Sequence, residues 1–194
     1  MNIIGGVISG VGRRAPWLGI ALLTLTPSSA VGQAERYGLE RPERGRDLLE
    51  AIALRQHNRA RRAVGVPPLA WSDALAIDAD RYAAEMARTG LYRHSAKVSR
   101  SGAQGENIWR GERDLYDYGT MIGTFLDEAR YYRAGSRIPA ISTTGNWRDA
   151  GHYTQIIWRG TTAVGCALRT GRGQDYLVCR YSPPGNIYGQ GPED

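Results

Sequence analysis

Two strand-like runs near the C-terminal end, Ala163 to Thr170 and Asp175 to Tyr181, are separated by Gly171-Arg172-Gly173-Gln174. Runs rich in β-branched and aromatic residues around a short Gly-containing connector predict an antiparallel hairpin with a four-residue loop. If Thr170 faces Asp175, the register sets Cys166 opposite Cys179, the only two cysteines in the chain. Few arrangements satisfy a strand pair, a turn and two cysteines together, so this hairpin constrains the fold more than any other stretch.

What the cysteines do depends on the compartment. The first 34 residues carry no acid, hold their only charges at Arg13 and Arg14, run apolar from Trp17 to Leu25 and continue into Pro27-Ser28-Ser29-Ala30. That is the pattern of a secretory signal peptide, with cleavage after Ala30 or Ala34; the alternative is an uncleaved anchor. Export places Cys166 and Cys179 in an oxidising compartment, where a structural disulfide is favoured over a redox or metal role. The expected location is extracellular or periplasmic, with no stable membrane span after signal removal.

Removing residues 1–34 takes away two arginines and leaves 23 bases against 19 acids. A balance of +4 with no Lys/Arg run interleaved with aromatics argues against nucleic acid as a partner. The 194-residue length suits one domain with a sizeable core. The expected organisation is a signal peptide at 1–34, an arm at 35–46, one domain at 47–189 and a tail at 190–194.

Three helices are expected before the hairpin. From Arg46 to about Arg62, Leu48, Leu49, Ile52 and Gln56 form one side, with Arg55, Asn58 and Arg62 opposite. His57 lies outside that stripe and reads as a structural or solvated residue. Arg59, Arg61 and Arg62 read as charges favoured by a helix C-terminus. Gly65 and Pro67-Pro68 end this helix. Ser72 or Asp73 caps a second, which buries Leu75, Ala79, Tyr82, Ala83 and Met86 and stops at Gly90. A third fits Leu115 to about Tyr132, with Tyr118, Met121, Ile122, Phe125, Ala129 and Tyr132 as its apolar stripe. Residues 92–105 read as a loop, and 133–150 as an irregular connection long enough to be functional.

Four polar residues interrupt these patterns. Glu128 falls on the apolar side of the third helix, where a carboxylate needs a partner or must snorkel to the helix edge. Glu106 is flanked by Gly105 and the bulky Ile108 and Trp109. His94 lies in the loop before it. His152 heads Gly151-His152-Tyr153-Thr154-Gln155-Ile156-Ile157-Trp158, which at period two reads as a strand with mixed faces: His152, Thr154, Ile156 and Trp158 on one, Tyr153, Gln155 and Ile157 on the other. A strand beside a pocket and an ordinary strand with a satisfied histidine both fit.

Two long motifs then carry a resemblance. Gly151-His152-Tyr153-Thr154-Gln155-Ile156-Ile157-Trp158-Arg159-Gly160-Thr161 and Tyr176-Leu177-Val178-Cys179-Arg180-Tyr181-Ser182-Pro183-Pro184-Gly185-Asn186-Ile187 match the signatures of the CAP superfamily. That superfamily comprises the cysteine-rich secretory proteins, antigen-five venom allergens and plant class-one pathogenesis-related proteins. His57-Asn58, Pro67-Pro68-Leu69-Ala70-Trp71, His94-Ser95 and Gly105-Glu106-Asn107-Ile108 agree in order and spacing. The resemblance covers roughly residues 47 to 189. It implies an α+β fold, a three-layer α/β/α sandwich with a largely antiparallel central sheet, and a cleft holding His94, Glu106, Glu128 and His152. A single cysteine pair and no cysteine-rich C-terminal module set the chain apart from eukaryotic relatives.

For function, the expectation is a secreted, non-enzymatic binding module. His94 and His152 are the expected ligands of a divalent ion, zinc, with Glu106 and Glu128 orienting the imidazoles. The alternative with the same residues is a metal-free network in which each histidine hydrogen-bonds a glutamate. No cofactor is expected to be required for folding. The family suggests a sterol or fatty acid as partner. A metal-assisted hydrolase with Glu106 or Glu128 as general base is the competing class. No His-Glu-x-x-His helix or nucleophile elbow supports it, so no catalytic residue is assigned.

Overall fold

The computed structural model describes residues 40–96 and 103–194. The expected signal peptide lies outside the described residues. The elements in order are α1 (Arg46–Ala63), β1 (Ala70–Trp71), α2 (Asp73–Thr89), β2 (Gly105–Glu112), α3 (Tyr118–Leu126), α4 (Gly151–Ile156), β3 (Ala163–Gly171) and β4 (Gln174–Ser182). Short 3₁₀ turns at Asp127–Tyr131 and Trp147–Ala150 link α3 to α4.

The hairpin forms in the expected register, with Thr170 opposite Asp175 and Cys166 opposite Cys179, and the two cysteines are bonded. Its loop is shorter than expected. Gly171 pairs with Gln174, and Arg172 and Gly173 turn the chain with φ of 53° and 75°. Two positive φ values match the right-handed twist of the flanking strands, which a turn of the opposite hand would splay.

The sheet order is β1-β3-β4-β2, with β2, β4 and β3 antiparallel and only the two-residue β1 parallel to β3. Every residue of β4 from Asp175 to Tyr181 is buried, and alternate side chains serve opposite layers. Leu177, Cys179 and Tyr181 pack with Leu49, Met121, Phe125 and Ile156 from α1, α3 and α4. Tyr176 and Val178 pack with Ala79, Ala83 and Met86 from α2. Alanines on α2 bring that helix close to the sheet, and Gly165 makes the approach feasible: a Cβ there would lie 2.3 Å from the Ala76 nitrogen. The result is the three-layer α/β/α sandwich with a largely antiparallel sheet.

α2 has the expected limits: the Ser72 side chain accepts from the Leu75 amide, and Gly90 ends the helix at φ 79°. α1 is rotated from the expected stripe. Leu49, Ala53, His57 and Arg61 face the core at spacings of four, whereas Gln56 is half-buried and donates to the Gly119 carbonyl. Asn58, expected outward, is half-buried and bonds both the carbonyl and the amide of Leu69. The third helix is shorter than its pattern. It starts after the Asp117 cap and tightens into a 3₁₀ turn at Asp127, which leaves Ala129 exposed and swings Glu128 toward α4.

The octet at 151–158 is corrected from strand to helix: residues 151–156 form α4. Residues Tyr153 to Trp158 are all buried, so their period-two polarity reported no solvent-facing side. Strand propensity in Thr154, Ile156 and Ile157 yields to distant groups that cap the helix. The tail is likewise part of the body: Gly191 and Pro192 are buried, Arg159 bonds the carbonyls of Pro192 and Glu193, and Tyr132 donates to the Glu193 carboxylate at 2.9 Å.

Candidate functional site

α4 carries His152, and both ends of this helix are held by groups remote in sequence. Glu128 Oε2 accepts from the amides of His152 at 2.7 Å and Tyr153 at 3.3 Å. These are first-turn amides with no partner inside the helix, and a carboxylate there also complements the helix dipole. Glu128 Oε1 meets the His152 ring at Nδ1, 2.6 Å away. A carboxylate only accepts, so Nδ1 carries the proton and Nε2 is the remaining ring nitrogen. One carboxylate therefore starts the helix and fixes the tautomer. At the other end, the fully buried Arg61 donates to the carbonyls of Ile156 and Trp158 at 2.8 Å and of Thr161 at 2.9 Å. Burial, with Arg159 nearby, brings its guanidinium down to about 10, still a cation at neutral pH. The reading of Arg61 as a solvated helix-end charge is corrected: its side chain turns inward and closes carbonyls at the end of α4 and just beyond it.

His94 is built differently. It follows α2 in an irregular stretch, and its side chain is 57% exposed against 27% for His152. Its support is Glu106 on β2, only 1% exposed. Glu106 Oε1 accepts from His94 Nδ1 at 2.8 Å and the Ser95 amide at 2.9 Å. Oε2 accepts from Ser95 Oγ at 2.7 Å and pairs with Arg180 at 3.0 Å. Glu106 and Arg180 are cross-strand partners, so the sheet register itself sets this ion pair, and Arg180 also lies over the Tyr82 ring.

The two imidazoles meet with ring centroids 6.3 Å apart in a cleft of about 1110 Å³. All four expected residues are thus brought together as two His–Glu pairs. Neither Nε2 makes a hydrogen bond among the described residues, so each ring keeps one nitrogen for a ligand. Trp147, Arg148, Ile187 and Tyr188 line the flanks. The 184–188 wall is tied to α4 by Asn186, which accepts from Thr154 Oγ1 at 2.7 Å and donates to the Gly151 carbonyl at 2.8 Å. At the floor, Gly105 leaves room for Gln155, whose Oε1 would lie 2.1 Å from a Cβ at that position.

Glu128 is 19% exposed and fully engaged, which answers the question of its partner. His57 is structural: it is fully buried, and burial pushes its ring down to about 4, with Arg61 adding to the effect against an opposing bond to the Ala53 carbonyl. Sequence reading missed Arg61, Asn107, Arg180 and Asn186 as parts of the site. Arg180 carried a readable signal, since it stands one residue from Cys179 and one from Tyr181 in a strand otherwise without charge between Tyr176 and Ser182.

Among the described residues, no group of three or more His, Cys, Asp or Glu side chains is arranged to hold a metal. An ion at this cleft would have two imidazole ligands and water. A second concavity, about 580 Å³, lies between the first turns of α1 and α2 over β3. Leu49, Ala76, Ile77, Tyr118 and Leu168 line it, and the Arg46–Asp73 and Arg169–Asp80 ion pairs stand at its edge. Among the described residues, no helix is long and apolar enough to cross a membrane.

Residues 54–181 match the family described as CAP, the cysteine-rich secretory protein family. Pathogenesis-related protein 1B of Nicotiana tabacum is 36% identical over 137 residues, covering 70% of this chain and 76% of that protein. Pathogenesis-related protein PRMS of Zea mays is 34% identical over 180 residues, covering 90% and 96%. Among solved structures, NaASP2, determined with Zn²⁺, superposes with a TM-score of 0.65 at 23% identity over 79% of this chain and 89% of that one. BmVAL-1 superposes with a TM-score of 0.62 at 21% identity over 75% and 81%; both are likenesses of fold. With the sandwich, the hairpin and the paired His–Glu cleft in place, the chain belongs to the CAP family of cysteine-rich secretory proteins.

Proposed function

We infer that this is an exported binding protein whose cleft holds a divalent ion, zinc, between Nε2 of His94 and Nε2 of His152. One observation carries the reading: both Nδ1 atoms are bonded to glutamates, at 2.8 and 2.6 Å, so the tautomer this selects carries its lone pair on Nε2 in each ring. Carboxylates behind imidazoles fix the tautomer and raise ligand basicity. Two imidazoles and water suit zinc, with open positions for a further ligand. Two protein ligands make the binding weak.

The same geometry favours binding over hydrolysis. Glu106 accepts from His94 and Ser95 and pairs with Arg180, and Glu128 accepts from two amides and an imidazole. With both oxygens of each carboxylate already engaged by these partners, neither glutamate is aimed at a substrate or water as a general base must be.

An amphiphile, a sterol or fatty acid, is assigned to the second concavity rather than to the cleft, on the strength of its apolar lining by Leu49, Ile77 and Leu168. Titration with fluorescent sterol and fatty-acid analogues checks this. Saturable binding that survives His152→Ala supports two separate sites, and binding lost in a folded His152→Ala protein contradicts it.

Native mass spectrometry of the exported protein tests the whole reading, because bound zinc and bound lipid appear as separate mass increments. N-terminal sequencing of the same sample should find the chain starting at residue 31 or 35. A start at Met1 would contradict export by cleavage.

A further inference from the structure

His57 and Arg61 occupy successive positions on the buried stripe of α1, and neither touches the cleft. Arg61 reaches the C-terminal carbonyls of α4. His57 begins a second connection to the same helix. Its Nδ1 lies 2.8 Å from the Ala53 carbonyl, which only accepts, so Nδ1 carries the proton and Nε2 accepts. Tyr181 Oη lies 2.9 Å from that Nε2 and therefore donates to it. The lone pairs of Tyr181 Oη then accept from Asn107 Nδ2 at 3.1 Å. The second hydrogen of the same amide donates to the backbone carbonyl of His152, also at 3.1 Å.

Each donated hydrogen in this line has one acceptor, and no step can be reversed without leaving a buried polar group unpaired. His57, Asn107 and Tyr181 are at most 1% exposed, so water cannot replace a missing link. Neutral groups throughout suit the assignment: burial lowers His57 and raises the Tyr181 phenol. The line crosses from α1 through β4 and β2 to α4 and ends on the residue whose ring faces the cleft.

The geometry points to His57, Tyr181 and Asn107 as positioning residues for His152, a buried relay that fixes the carbonyl of the cleft histidine while Glu128 fixes its ring. No hydrogen bond joins His94 to this relay among the described residues, and its ring meets that of His152 only by contact, so the effect falls first on the His152 half of the cleft. Only the affinity arm of the following experiment rests on the zinc reading.

The test uses Tyr181→Phe, which deletes one oxygen, together with His57→Gln, whose amide can still donate to the Ala53 carbonyl and accept from Tyr181, and His57→Phe, which can do neither. Val178→Ala serves as the control for lost stability, because Val178 packs in the opposite layer. Imidazole resonances are recorded on the metal-free proteins, followed by zinc calorimetry. Expected are displaced His152 resonances with a smaller displacement at His94 in Tyr181→Phe and His57→Phe, recovery in His57→Gln, and zinc affinity about tenfold weaker in the two defective variants. Val178→Ala should move neither ring. Unmoved His152 resonances in a folded Tyr181→Phe protein would overturn the relay, as would the same displacement in Val178→Ala. If the unaltered protein takes up no zinc, the proposed function fails, and the resonances alone decide the relay.

Discussion

The two halves of the cleft present the same pair of side chains on opposite kinds of support. His152 rides on a six-residue helix clamped by Glu128 at its start and Arg61 at its end, while His94 sits outside any helix or strand and leans on a carboxylate buried in the sheet. In the first half the backbone is held and the carboxylate is partly solvated, 19% exposed. In the second half the backbone lies outside any helix or strand, with the Ser95 amide held by the same carboxylate, and that carboxylate is sealed at 1%. The lesson is that an imidazole can be oriented either through its helix or through its partner, and that the same mutation should then have different consequences on the two sides.

The largest contrast is expected from glutamate-to-glutamine exchange. Glu106→Gln leaves the Arg180 guanidinium, 2% exposed, without its carboxylate, and breaking a buried pair this way costs about 3–5 kcal/mol. Chemical denaturation should show that loss for Glu106→Gln alone. The disulfide provides a reference loss away from both halves. Replacing Cys166 and Cys179 by serine reopens a 13-residue separation and should cost about 3 kcal/mol while leaving both imidazole resonances in place. A movement of either ring would mean that the halves are coupled through β4.

Acid should weaken the helix-borne half through His57. Its ring is held at about 4 against an ordinary 6.5, so the unfolded chain binds a proton that the folded protein refuses between those values. Stability is therefore complete above pH 6.5, falls as pH drops toward 4, and is lower by roughly 3 kcal/mol below that. Carboxylates titrate near the lower end too, so the informative quantity is the difference from His57→Gln, which should lack this component. Parallel pH–stability curves for the two proteins would remove His57 from the account. The smallest effect belongs to Glu128→Gln: the side-chain oxygen can still accept from the His152 amide and solvent reaches the site, so a loss of about 1 kcal/mol is expected by thermal melting. A loss as large as that of Glu106→Gln would erase the contrast between the halves.

The same contrast governs what the sequence discloses. The hairpin, α2 with its Ser72 and Gly90 limits, and the four cleft residues were legible because each carries a local pattern or a motif. α4 was not, because its capping groups stand at Glu128 and Arg61, far from residues 151–156, and a segment buried from Tyr153 to Trp158 has no solvent-facing side to report its period. β2 escaped for a related reason: Glu106 and Asn107 look like loop residues until Arg180 and Tyr181 are placed beside them. Arg61 was hidden by its type, since an arginine near a helix end ordinarily points to water.

Zinc calorimetry at pH 7.5 and 5.5 on the unaltered protein, His94→Ala and His152→Ala measures the shared-ion account most directly. Protons compete with the metal for imidazole nitrogen. The account predicts weak one-to-one uptake at pH 7.5, fainter uptake at pH 5.5, and none in either variant, despite the different supports of the two rings. Unchanged uptake in both variants would place the ion elsewhere and contradict it.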